Sequence, residues 1–74
     1  MKQLFLGADV SKGYCDFIIQ DEDLKEVEPH FQLDDIYEGH VALTRIIENL
    51  FRTYADLTLY IGIESTGSYE NNWF

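Results

Sequence analysis

The spacing of apolar residues along the chain predicts four strands and one long helix. Residues 3–10 (QLFLGADV) are apolar at nearly every position, the pattern of a central strand covered on both faces. Residues 14–20 (YCDFIIQ) read as a second strand, and the three-residue turn Ser11-Lys12-Gly13 between them predicts an antiparallel hairpin. After the polar turn Asp21-Glu22-Asp23, residues 25–33 alternate cleanly. Val27, Pro29, Phe31 and Leu33 lie on one side, with Glu28, His30 and Gln32 on the other. Proline inside a strand removes a ladder donor, which sends this third strand to the sheet edge.

The period then changes. Leu43, Ile46, Ile47, Leu50, Phe51 and Tyr54 form one apolar stripe at helical spacing, with Arg45, Glu48, Asn49 and Arg52 on the far side. The helix starts between Asp35 and Gly39 and ends near Ala55; Asp35 with Glu38 fits a capping pair, and Gly39 fits a delayed start. Residues 57–64 (LTLYIGIE) return to a buried-type strand, Gly67 breaks the chain, and residues 69–74 read as the opening of a second helix. There are no repeats and no linkers.

A strand–helix–strand crossover makes the last strand parallel to one already laid down. The most economical sheet places the third strand at the edge, then the second, then the first, then the last. That order predicts an α/β fold with a ribonuclease-H-like mixed sheet truncated before its fifth strand, residues 1–74 forming the N-terminal, incomplete part of one domain.

Composition narrows what such a sheet does. The 14 acidic against 5 basic side chains give a net charge of −9, the reverse of a stand-alone nucleic-acid binder, and anionic lipid repels such a surface. No apolar run nears the ~20 residues that span a bilayer, and Asp9 interrupts the N-terminal apolar stretch too early for a signal peptide. A lone cysteine makes no internal disulfide, so the expected location is the reducing cytoplasm. With 46% apolar residues the chain is globular. It closes on Asn71-Asn72-Trp73-Phe74, and the large apolar pair there raises the expectation of a piece of a longer protein, with a packed terminal anchor as the alternative.

Asp9 closes the central strand and Glu64 closes its parallel neighbour, so the sheet brings two carboxylates to one edge. Ligand sites in open α/β sheets form at carboxyl ends of strands. Paired carboxylates repel unless a cation lies between them or one binds a proton, and hard oxygen donors suit Mg²⁺ or Mn²⁺. The chemistry such a pair serves is phosphodiester cleavage. Spacing alone also fits a plainer reading, with Asp9 opening a turn and Glu64 capping the segment after it.

The wording around both carboxylates goes further. Gly7-Ala8-Asp9-Val10-Ser11-Lys12 and Glu64-Ser65-Thr66-Gly67-Ser68-Tyr69 together resemble the N-terminal domain of the DEDD transposases of the insertion sequence 110 family, the Piv- and MooV-like recombinases. The resemblance runs through all 74 residues, with the hairpin after the Asp, Gly39 entering the helix, and the apolar strand leading into E-S-T-G-x-Y. Ala8 departs from the apolar β-branched residue common there. The resemblance implies a RuvC-like domain acting in DNA transposition, with Asp9 and Glu64 as the first two of four catalytic, metal-holding acids and Mg²⁺ or Mn²⁺ as cofactor. It also implies DNA and guide RNA as partners. The other two acids and a nucleophilic serine lie beyond Phe74 in that family, so Ser11, Ser65 and Ser68 are not that serine, and the chain alone is expected to be inactive.

Lys12 is a candidate phosphate contact or a solvated turn lysine. Ser65 and Thr66 are candidates to cap the last helix or to meet nucleic acid. Tyr69 is expected under the site, Cys15 in the core, Trp73 and Phe74 facing the core, and His30 and His40 exposed. Two other function classes remain open: an actin-like or sugar-kinase-type phosphate-binding domain, and a small acidic interaction module. The open apolar edge of residues 57–64, or the face around Trp73 and Phe74, is expected to drive self-association.

Overall fold

The computed structural model describes all residues except Thr66, Ser68 and the side chain of Glu70. Strands β1 (Lys2–Ser11), β2 (Tyr14–Gln20) and β3 (Glu26–Asp34) precede helix α1 (Tyr37–Thr53), and β4 (Leu57–Ser65) leads to a short 3-10 turn at Tyr69–Asn72. The sheet order is β3-β2-β1-β4, with β4 parallel to β1 and the other neighbours antiparallel. The chain is therefore an α/β mixed sheet with the expected strand order. No helix among the described residues is long and apolar enough to cross a membrane.

The hairpin turn is one residue shorter than its composition suggests. Ser11 pairs with Tyr14, so only Lys12 and Gly13 form the turn, and Gly13 takes φ +86°, a conformation that favours glycine. At the other end of β2, the Asp21 carboxylate accepts from the Asp23 and Lys25 N–H groups at 2.9 and 3.0 Å. The Lys25 bond, first among these causes, holds the Asp21 carboxyl below its ordinary pKa. β3 is the edge strand that Pro29 implies, and its register slips twice opposite residues 17–20 of β2.

Only one face of the sheet is covered. Leu4, Leu6, Ala8 and Val10 of β1 and Cys15, Phe17 and Ile19 of β2 point under α1, where Leu43 and Leu50 meet them. The opposite face, carrying Phe5, Gly7 and Asp9, lies open, which corrects the expectation of a central strand covered on both sides. The near-continuous apolar run in β1 reflects a Phe5 ring that stacks on Tyr60 of β4 at 5.2 Å on that open face.

Helix α1 starts at Tyr37 with Ile36 as its cap residue and no side-chain cap, so the expected Asp35/Glu38 capping pair does not form. Gly39 does not delay the helix. It is buried in the first turn, and a Cβ there would overlap the Asp34 carbonyl oxygen. Of the predicted stripe, Phe51 is half exposed, because it falls roughly 80° from the stripe's axis at ~100° per residue. Tyr54 lies just past the helix, partly buried against the core.

The chain end is a 3-10 turn rather than an α-helix. Trp73 is buried, stacked on His40 at 4.2 Å and edge-on to Phe17 at 5.5 Å. Phe74 is exposed, against expectation, since the turn aims only one of two adjacent side chains inward.

Candidate functional site

The strand ladders put Asp9 and Glu64 side by side. They are register partners across the parallel β1–β4 pair, near the carboxyl ends of both strands and on the open face. The same row continues through β2 and β3, because Asp9 faces Asp16 and Asp16 faces Gln32. Glu64, Asp9, Asp16 and Gln32 thus form one line across four strands.

Behind the row lies a shallow hollow of about 660 Å³, bordered by Asp9, Asp16, Ile18, Gly62 and Glu64. It exists because Gly7 and Gly62 are also register partners, so two neighbouring strands lack side chains at one level. A Cβ at Gly62 would meet open space, whereas one at Gly7 would come 3.1 Å from a methyl of Ile18.

Asp16 is the site residue that sequence reasoning missed. A three-residue turn would have set Asp9 against Cys15; the two-residue turn slides β2 by one position and brings Asp16 opposite instead. Its Oδ1 accepts from the Gln32 side-chain amide at 3.0 Å and lies 3.8 Å from His30 Nε2. Cys15, on the other face, is fully buried, and burial first, then the charges of Asp16 and Asp9, pushes its thiol up to about 11. It stays a protonated core residue.

No family model, curated protein or solved structure matches this chain. Chemical assignment of the row therefore rests on its geometry and donor types.

The donors are hard oxygens, the type that Mg²⁺ and Mn²⁺ take. Their number is small: among the described residues no three His, Cys, Asp or Glu side chains are grouped to hold a metal ion. Asp9 and Glu64 fit a cation as part of a donor set, while Asp16 is engaged toward β3.

The remaining candidates are dispersed. Lys12 is exposed at the hairpin tip, two residues beyond Val10. The Ser65 hydroxyl donates to the Gly67 carbonyl at 2.7 Å and accepts from the Gly67 N–H at 3.3 Å, a local turn rather than a cap on the last helix. Thr66 lies outside the described residues. Tyr69 is exposed with its ring against Gly67, and it does not border the hollow beside the carboxylates. His30 is exposed as expected, but His40 is half-buried and pairs with Asp35.

Proposed function

We propose that this chain is the N-terminal part of a RuvC-like, ribonuclease-H-type domain acting in DNA transposition, similar to the DEDD transposases of the insertion sequence 110 family. The observation that carries the reading is the adjacency of Asp9 and Glu64 at the carboxyl ends of two parallel strands, on an open face. An interaction module whose acids are spread over a surface has no need of that register.

In this reading Asp9 and Glu64 hold Mg²⁺ or Mn²⁺ together with carboxylates contributed by the rest of a longer protein. The cation, when bound, neutralises charge developing on the attacking and leaving oxygens of a phosphodiester. The carboxylates themselves orient it, fixed by two neighbouring strands rather than by loops. DNA and guide RNA are the partners of the whole protein, with Lys12, Ser65 and Thr66 as the nucleic-acid contacts. At −9 the chain alone binds nucleic acid weakly, since its field opposes phosphates. The two-residue hairpin turn also supports this reading over a phosphate-binding domain, because Lys12 and Gly13 form no loop long enough to cradle a phosphate.

Paramagnetic Mn²⁺ tests the reading directly. Titrated into the ¹⁵N-labelled chain, it should broaden the amide signals around Asp9 and Glu64 first, and Asp9→Asn or Glu64→Gln should abolish that selectivity. Broadening spread evenly over the acidic surface would sink the proposal. Metal-dependent nicking of DNA by the isolated chain would contradict the view that two carboxylates do not suffice.

A further inference from the structure

The two edges of the sheet are built differently. β3, at one edge, carries Glu26, Glu28, Pro29, His30 and Asp34 and a register slip, all devices that keep another strand from pairing. β4, at the other, has none of these along its first seven residues, and its sequence LTLYIGIES contains one charge, Glu64. Ile61 and Ile63 point to the helix-covered side yet stay 43% and 41% exposed, since α1 lies nearer β3 and does not roof this edge. In a chain of net charge −9, this strand, uncharged over its first seven residues, is a place where another copy can approach with little repulsion.

We propose that β4 pairs antiparallel with β4 of a second copy about a two-fold axis at Ile61, extending the sheet to eight strands. The sequence is self-complementary in that register. Leu59 falls opposite Ile63 and Ile61 opposite its own mate, which joins the apolar row on the helix side into one stripe. On the open side Tyr60 falls opposite Gly62, whose Cβ position is empty, so an aromatic ring covers a glycine. Thr58 falls opposite Glu64, and the two Glu64 side chains lie at opposite ends of the junction. Shifting the axis to Tyr60 sets Glu64 against Asp56. Shifting it to Gly62 stacks glycine on glycine and brings the two glutamates closer. Of these three registers, the one centred on Ile61 avoids both penalties.

This association belongs to the 74-residue chain, in which β4 is an edge strand. In the longer protein of the proposed function a fifth strand would take the same edge in place of the second copy, and neither pairing depends on a metal at Asp9 and Glu64. Sedimentation equilibrium of the whole chain should show a monomer–dimer equilibrium that tightens as NaCl rises, because salt screens the like net charges. Ile61→Lys sets two lysines face to face at the axis and should weaken dimerisation by at least about tenfold, with the monomer's circular dichroism unchanged. The register is read by cross-linking with diamide, which takes up two electrons and two protons as two thiols join. Ile61→Cys should cross-link rapidly, its Cβ atoms lying about 5 Å apart. Leu59→Cys should not, because its two copies lie about 14 Å apart along the strands. The native Cys15 is fully buried and does not compete. A chain that stays monomeric at millimolar concentration and high salt would overturn the proposal. So would a dimer that survives Ile61→Lys, which would point instead to the Trp73 and Phe74 region, or equal cross-linking at positions 59 and 61.

Discussion

The Asn72 side-chain amide donates to the Asp35 carboxylate at 2.8 Å, tying the last turn of the chain to the loop that enters α1. The other oxygen of Asp35 is held by His40, and that bond, followed by the one from Asn72, keeps the carboxyl below its ordinary pKa. A depressed carboxyl contributes stability above its unfolded pKa of about 3.9, and that contribution disappears as pH falls through the lower folded value. Trp73, the sole tryptophan, reports it. Its fluorescence should shift to the red in acid, below about pH 4, ahead of the loss of far-ultraviolet circular dichroism. In Asp35→Asn that early step should vanish. A single coincident transition in both proteins would show that the terminal turn does not depend on this carboxylate.

Gly39 reverses a common expectation. Replacing a glycine inside a helix by alanine ordinarily stabilises by about 1 kcal/mol. Here the added Cβ runs into the Asp34 carbonyl, a backbone atom at the end of β3, so the helix start must shift. Gly39→Ala should therefore destabilise the fold by about 1–3 kcal/mol in urea denaturation, the range for overpacking a tight site. Stabilisation would mean that the first turn of α1 moves freely.

Much of the fold was legible because its signals are periodic and local. The alternation in β3, the apolar runs of β1 and β4 and the helical stripe set the element order, and Pro29 marked the edge. The carboxylate pair followed from topology, since Asp9 and Glu64 close parallel neighbours. What escaped depended on single-residue geometry. One residue in the hairpin turn decides whether Cys15 or Asp16 faces Asp9, and period-two pleating turns that one step into a change of face. The Asp35–Asn72 bond joins residues 37 apart, with no sequence pattern to announce it. Capping failed for a related reason: Asp35 matches a cap by composition, but its oxygens are taken by His40 and Asn72.

Leu24 occupies the left-handed region at φ 63° in the turn between β2 and β3, and it is largely exposed. That conformation costs a non-glycine residue about 1–2 kcal/mol, and no burial of the leucine side chain offsets it. Leu24→Asn should stabilise the chain by several tenths of a kcal/mol or more, because Asn tolerates this region and a polar side chain suits the site. Urea denaturation at constant m-value is the measurement. A loss of stability would assign the leucine a packing role that its exposure does not suggest.

Removing a carboxylate from the row should strengthen the fold while removing any response to metal. Asp9 sits between Asp16 on one strand and Glu64 on the other, and like charges directly opposite in a ladder destabilise by about 0.2–1 kcal/mol. Asp9→Asn relieves both neighbours at once without changing the side chain's shape. Its thermal midpoint in metal-free, low-salt buffer should rise by a few degrees, as about 4–8 °C accompanies each kcal/mol in a domain of this size. Millimolar Mg²⁺ should raise the midpoint of the wild-type chain by mass action and leave Asp9→Asn unmoved, closing the gap between them. Asp23→Asn, in the exposed β2–β3 turn away from the row, controls for a general charge effect. If it matches Asp9→Asn, net charge rather than the juxtaposition of three carboxylates is the cause. If the gap persists in Mg²⁺, the row repels without binding a cation.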